Sequence, residues 1–257
     1  MHPDDAFAQS IGLPSGKTEA WYVLSAAPEA KVALGLTQRL TPPQLREAIC
    51  DGSIADLVLW QTVLPGDVIF VPAGTIHAIG AGLVIAEIQQ RSDATFRLFD
   101  YGRQRSLHIE SAISVADAGP ADLQCIQSRL SDSRTLLISS AHFVLERIDL
   151  GPNSAWRLEA ERETWLLALT GSAVAGSIDI STGDAVFAQS DCLDLRAGAT
   201  GMVGLTAYTG VDPVPHLLRR LTEQGAMTAR RPWEVQAPLT LLPETAAPTS
   251  GQLESNS

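Results

Sequence analysis

Lysine is almost missing from this chain: only Lys17 and Lys31 stand among its 18 basic residues, against 29 acidic ones, for a formal net charge of −11. A balance this acidic argues against a nucleic-acid or anionic-membrane partner, because both require basic surface. A small anionic ligand remains open to it, provided a few local cations overcome the overall field. Cysteine is nearly as scarce. Cys50, Cys125 and Cys192 are far apart, odd in number and form no CxxC pair, which speaks against a disulfide framework and fits a reduced, cytoplasmic protein. No apolar run approaches the roughly 20 residues of a membrane span. The opening residues Met1-His2-Pro3-Asp4-Asp5 are polar and acidic, unlike a signal peptide. Aromatics, at 5 %, are sparse, yet apolar residues reach 45 %, enough for a sizeable core.

What is present is a punctuated β pattern. Residues 1–18 read as loop and turn. Strands are expected at 19–24 and 31–36, then a helix opened by Thr41 as N-cap with Pro42 and Pro43 in its first turn and Gly52 as its stop. Apolar runs at 58–63, 68–71, 83–88 and 95–99 are separated by turn signals such as Pro65-Gly66 and Ala73-Gly74. A short helix fits 109–116. Further strands are expected at 143–150, 164–169, 185–188, 192–195 and 202–207. Gly183-Asp184-Ala185-Val186-Phe187 echoes Gly66-Asp67-Val68-Ile69-Phe70, a weak internal symmetry that points to two related β-barrels. The expected fold class is all-β: a double-stranded β-helix, or jelly roll, as two barrels with a few short helices. The expected boundaries are 1–120 for a catalytic barrel, 121–235 for a second barrel and 236–257 for a disordered tail.

The run Gly66 to His77 (GDVIFVPAGTIH) matches the second signature of the cupin superfamily at every defined position. Two turns deliver His77 to the start of a strand, where it can point into a barrel. Read alone, a histidine among apolar neighbours is a satisfied core or turn residue. Three further motifs change that: His2-Pro3-Asp4-Asp5, Gly16-Lys17-Thr18-Glu19, and Glu87 to Arg103 with its Ser92-Asp93-Ala94-Thr95-Phe96-Arg97 core. In this order the four resemble the short bacterial form of type I phosphomannose isomerase. The likeness is strong to about residue 110 and diffuse to about 235.

The resemblance implies a cytoplasmic, monomeric enzyme that binds one zinc ion and interconverts mannose 6-phosphate and fructose 6-phosphate. It implies zinc ligands at His2, Glu19 and His77, a catalytic arginine at Arg97, and pocket residues at Lys17, Glu87 and Arg103. Glu87 has the chemistry of a proton shuttle, a task a metal-bound water could also serve. Lys17 and Arg103 are candidates for the phosphate. The family carries an extra N-terminal segment, with a glutamine ligand two positions before the first ligand histidine. The chain as given is therefore expected to lack a ligand and early strands of the first barrel, and to bind zinc weakly or not at all. On residue type alone, His2 is a frayed terminal residue, Glu19 a solvent-facing strand start and Lys17 a solvated loop charge, while Asp4 and Asp5 are turn or cap residues. A non-catalytic sugar-phosphate-binding cupin, or an inactive piece of the isomerase, is the alternative function. A dioxygenase-type cupin fits poorly, because His2 has no closely spaced histidine partner.

Overall fold

The computed structural model of the chain describes residues 1–121 and 127–221. The first half holds two three-stranded antiparallel sheets. One, in the order β4-β1-β6, is made of β1 (Glu19–Ala26), β4 (Val68–Val71) and β6 (Leu83–Gln89). The other, in the order β3-β2-β5, is made of β2 (Lys31–Leu36), β3 (Val58–Thr62) and β5 (His77–Ile79). Side chains alternate along a strand, and that period builds the layers. Trp21 and Val23 of β1, Ile69 and Val71 of β4, and Val32 and Leu34 of β2 meet between the two sheets. The other face of the β1 sheet presents Ala20, Tyr22, Phe70 and Ile88 to Leu137, Phe143, Leu145 and Leu205 of the second half. Both faces of β1 are therefore covered, which explains its nearly continuous apolar sequence.

Helix α2 (Pro42–Asp51), helix α3 (Ile54–Leu57) and helix α4 (Ile109–Val115) close the outer face of the second sheet through Leu45, Ile49, Ile54 and Ala112. Helix α2 starts as its sequence indicates. Gln44 Oε1 accepts from the Thr41 backbone N–H at 2.9 Å, and Gly52 ends the helix at φ 84°, a conformation that costs glycine little. Residues 1–18 differ from expectation. They contain α1 (Asp5–Ser10), capped by Asp4, whose carboxylate accepts from the Phe7 N–H at 2.8 Å. The helix buries only Ala8, so its sequence carries almost no periodic signal.

The second half is one curled nine-stranded sheet. Its strands are β7 (Ser128–Ser131), β8 (Arg134–Ser139), β9 (Phe143–Leu150), β10 (Ala155–Ala160), β11 (Thr164–Ala175), β12 (Ile178–Ser181), β13 (Ala185–Ala188), β14 (Asp191–Thr209) and β15 (Leu218–Arg220). The strands expected at 192–195 and 202–207 are a single β14. It pairs with β10 through its first residues and with β9 through its last, and with β11 along most of its length. The sheet wraps around Ile148, Leu158, Leu166, Ile180 and Leu193. Among the described residues the strand ladders of the two halves are separate. The molecule is all-β with a few short helices, the cupin fold. No helix among the described residues is long and apolar enough to cross a membrane. The expected tail lies outside the described residues. Cys50 and Cys192 are free.

One expected strand is absent. Residues 95–99 run with alternating burial, Phe96 and Leu98 inward, but form no ladder. Phe96 exchanges backbone hydrogen bonds with Met1 (2.9 and 3.3 Å), and the Arg97 carbonyl accepts from His108 N–H at 2.9 Å. Those single partners replace a neighbouring strand.

The internal echo is real at atomic detail. Asp67 Oδ2 accepts from Leu64 N–H at 2.7 Å and Asp184 Oδ2 from Ser181 N–H at 2.8 Å. Gly66 and Gly183 have φ of 93° and 92°. Each donates its N–H at 2.8 Å to the neighbouring strand, Gly66 to Val23 and Gly183 to Ala168. The strand β4 with its turn thus repeats as β13, and β1 repeats as β11.

Candidate metal centre and adjoining cleft

Strand register brings the candidate ligands together. Glu19 shares the inward face of β1 with Trp21 and Val23 by the two-residue period. His77 opens β5 directly opposite Leu34, which also points inward. Glu87 of β6 sits opposite Trp21 and so emerges on the same face, where it stays partly exposed. His2 reaches the cluster from the segment before α1. It is not frayed: it is buried, and Gly74 N–H donates to its carbonyl at 2.8 Å.

The donor atoms converge. His2 Nε2 lies 3.2 Å from Glu19 Oε2, and His77 Nε2 lies 3.5 Å from Glu19 Oε1. One donor atom from each of the three residues falls within 4.8 Å of the others. A tetrahedral zinc ion with bonds of about 2.1 Å sets its donors about 3.4 Å apart, which the two imidazole–carboxylate distances match. The imidazoles are oriented for the task. His2 Nδ1 lies 2.7 Å from the Ala94 carbonyl and His77 Nδ1 lies 3.0 Å from the Thr75 carbonyl. Each Nδ1 therefore carries the hydrogen, and each Nε2 turns a lone pair to the centre, the arrangement that fixes metal-binding histidines. Trp21 packs edge-on against His77 at 5.4 Å. Glu19 Oε2 is buried and has no well-angled hydrogen bond, although Lys17 Nζ stands 2.8 Å away. A short carboxylate contact without hydrogen-bond geometry is what a site built for a cation leaves behind. The donor set fits a divalent metal.

Lys17 and Glu19 are neither solvated nor peripheral. Lys17 Nζ joins Glu19 and Glu87, the latter at 3.1 Å. Burial works against its charge, but the two carboxylates outweigh burial and raise its pKa. Burial likewise opposes the Glu19 carboxylate. His2, His77 and Lys17 prevail and hold it down to about 2. Burial, with the charge of Glu19 beside it, raises Glu87. Burial pushes His77 down to about 3, so it is neutral and ready to ligate at physiological pH.

A cleft of about 570 Å³ opens beside the cluster, with His77 in its wall. Arg97 and Arg103 line it, with Trp60, Phe99 and Tyr101. Lys17 and Glu87 are not part of this lining: they belong to the metal cluster. Asp4 and Asp5 are structural, Asp4 as the α1 cap and Asp5 accepting from Gly16 N–H at 2.7 Å and from Gln90 at 2.9 Å. Arg105 also lines the cleft, and Asp100 grips it (Nε to Oδ1, 2.6 Å). Sequence reasoning gave neither residue a role: Asp100 lies within the Glu87 to Arg103 motif but was assigned nothing, and Arg105 falls just beyond it.

No protein-family model matches the chain. Over 159 residues it is 39% identical to the mannose-6-phosphate isomerase of Streptococcus mutans, an alignment covering 56% of this chain and 48% of that protein. Over 124 residues it is 37% identical to the mannose-6-phosphate isomerase ManA of Bacillus subtilis, covering 46% and 39% respectively. The alignments thus span about half the length of these curated relatives or less. The crystal structure of the mannose 6-phosphate isomerase from Bacillus subtilis matches the fold with a TM-score of 0.69 at 25% identity, over 80% of this chain and 69% of that one. By sequence and by fold, the chain is similar to mannose-6-phosphate isomerases.

Proposed function

We infer that the chain is a zinc-dependent aldose–ketose isomerase that interconverts mannose 6-phosphate and fructose 6-phosphate through an enediol. The observation that carries this reading is the convergence of two oriented imidazoles and a buried carboxylate at the wall of an arginine-lined cleft, in a chain similar to proteins named for that activity. His2, Glu19 and His77 would hold the zinc ion. A bound zinc ion supplies Lewis acidity toward the sugar oxygens.

The rest of the chemistry falls to side chains. A proton must leave C2 of the open-chain aldose and return to C1, while the O2 proton passes to O1. Glu87 is the proton carrier: its raised pKa brings a carboxylate closer to the range in which it both takes and gives a proton. Arg97 stabilises the negative charge that develops on the enediol oxygens. Lys17 holds Glu19 and Glu87 apart in charge and in place, and Arg103 faces the phosphate. Residues 1–120 form the catalytic unit and 121–235 its companion, acting as a monomer in the cytoplasm on this one small substrate.

The test is a coupled assay of mannose 6-phosphate isomerisation on the zinc-loaded chain. Turnover is expected, and Arg97→Ala should lower kcat by roughly 100- to 1,000-fold. Normal turnover in the zinc-loaded Arg97→Ala protein would remove Arg97 from the mechanism. A zinc-loaded wild-type chain without turnover would remove the activity itself.

A further inference from the structure

Glu19 stands at the last registered pair of both ladders of β1, opposite Val71 of β4 and Gln89 of β6. Residues 16–18 before it belong to no strand, yet Lys17 and Thr18 are buried. Strand ends fray, so a ligand placed there needs a further restraint. Side chains supply it. Gln90 N–H donates to the Thr18 carbonyl at 3.0 Å, and Gln90 Oε1 accepts from Thr18 N–H at 2.8 Å. One glutamine thus satisfies both backbone groups of Thr18, as another ladder pair would. On the opposite side Thr18 Oγ1 accepts from Ala73 N–H at 3.2 Å.

The bonding continues into the segment that carries His2. Gln90 Nε2 donates to Asp5 Oδ1 at 2.9 Å, and the same oxygen accepts from Gly16 N–H at 2.7 Å. Only this orientation of the Gln90 amide serves both partners, a backbone donor on one side and a carboxylate on the other. Lys17 N–H donates to the Pro3 carbonyl at 3.0 Å. The two segments press together: a Cβ on Gly16 would fall 2.5 Å from the Pro3 carbonyl oxygen. Asp5 opens α1, just after His2. The link Asp5–Gln90–Thr18 therefore ties together the pieces of chain that bear His2, Glu19 and Glu87, with one carboxylate and one amide.

We propose that Asp5 and Gln90 are positioning residues of the metal centre, a hydrogen-bonded strut that fixes the turn 16–18 and so sets Glu19 and Lys17 against His2. Groups behind the ligands orient a metal site, and losing one costs about 10–100-fold in affinity. His2 Nε2 and Glu19 Oε2 stand 3.2 Å apart, and a site slack by about 1 Å no longer holds such a geometry. Asp5 therefore does more than close a turn. The proposal rests on His2, Glu19 and His77 as a metal site, and not on the reaction carried out there.

The test is calorimetric titration of Co2+ into the metal-stripped full chain, with the visible absorption of the bound ion read alongside as a report on its coordination. Asp5→Ala and Gln90→Ala should each weaken Co2+ binding about ten-fold or more. Asp5→Asn keeps an oxygen acceptor for Gly16 and Gln90 and should recover most of the affinity. Gln90→Glu keeps the acceptor for Thr18 but sets a second carboxylate against Asp5, and should bind as weakly as Gln90→Ala, which decides the point if the alanine variants fail to fold. Asp67→Ala removes a turn hydrogen bond at the other end of β4. It should lower the urea midpoint and leave Co2+ affinity and absorption unchanged, so loss of stability alone does not imitate loss of positioning. Wild-type affinity in folded Asp5→Ala and Gln90→Ala, or in Gln90→Glu, overturns the strut, and so does an Asp5→Asn chain no better than Asp5→Ala. A wild-type chain that takes up no Co2+ overturns the metal site and the strut with it. Co2+ binding with this dependence in a chain lacking isomerase turnover would leave the strut standing and sink only the proposed activity.

Discussion

The two halves of the molecule repeat one turn-and-strand frame yet fill it with opposite chemistry. Matching Gly66 to Gly183 and Val23 to Ala168 sets Glu19 against Thr164, since each lies opposite the fifth residue after its glycine, Val71 and Ala188. Glu87, opposite Trp21, then matches Thr206, opposite Leu166. Where the first half sets the buried Glu19 and the partly exposed Glu87 around Lys17, the second buries two threonines. The second half does keep a buried ion pair, but a closed one. Glu146 accepts from both Nε and Nη2 of Arg134 at 2.7 Å and from the Tyr208 hydroxyl, while Arg134 donates onward to the carbonyls of Val214 and Pro215. In the first half Glu19 Oε2 lacks a hydrogen bond and two imidazole nitrogens aim at one point. A saturated network specifies a structure; the open Glu19 oxygen is set apart by the two imidazole nitrogens beside that carboxylate.

The largest expected effect separates the two clusters. Glu19→Thr writes the second half's residue into the first and should lower zinc affinity by more than about 100-fold, since even partners of metal ligands cost 10–100-fold. Metal content after dialysis reads it, and retained stoichiometric zinc would break the comparison. Next, Glu146→Gln leaves Arg134 buried without its partner and should cost about 3–5 kcal/mol in urea unfolding, with zinc stoichiometry of the folded protein unchanged. Loss of zinc in that variant would mean that the second network is not merely structural.

A third, smaller effect is in pH. Glu19 is near 4.5 when unfolded and about 2 in the fold, so the stability it contributes is present above about 4.5 and lost as the pH falls toward about 2. His77 is near 6.5 unfolded and about 3 folded. The unfolded chain therefore gains a proton first, and stability falls as the pH drops from about 6.5 to 3. Glu87, raised in the fold, opposes this weakly. The thermal midpoint of the metal-free chain should drop between pH 7 and pH 4, and less steeply in His77→Asn. Equal slopes would contradict the buried, neutral His77. Smallest of all, Asp67→Ala and Asp184→Ala remove equivalent turn hydrogen bonds and should each cost about 1 kcal/mol, a near-equality that urea titration can sharpen or refuse.

Much of this was legible in the sequence because it is local. The turn before β4, the capped start of α2 and the strands β2, β4, β9 and β13 are written in glycine, proline and aliphatic spacing. The proximity of His2, Glu19 and His77 could be named only through resemblance, since register across β2–β5 and β1–β6 decides it. The acceptors that orient the imidazoles are backbone carbonyls of Ala94 and Thr75, which no side-chain identity announces. Asp100 and Arg105 depend on positive φ at three nearby residues, only one of them glycine. Residues 95–99 show the reverse error: their alternation is real, but a strand also needs a partner.

The most direct measurement is a zinc titration of the metal-stripped chain with mannose 6-phosphate turnover followed in parallel. Turnover rising in step with bound zinc to one ion per chain, and absent in Glu19→Gln, is the expected result. Turnover that is independent of zinc, or one bound zinc without interconversion of the two sugar phosphates, would contradict the assignment of this cluster as the catalytic metal centre.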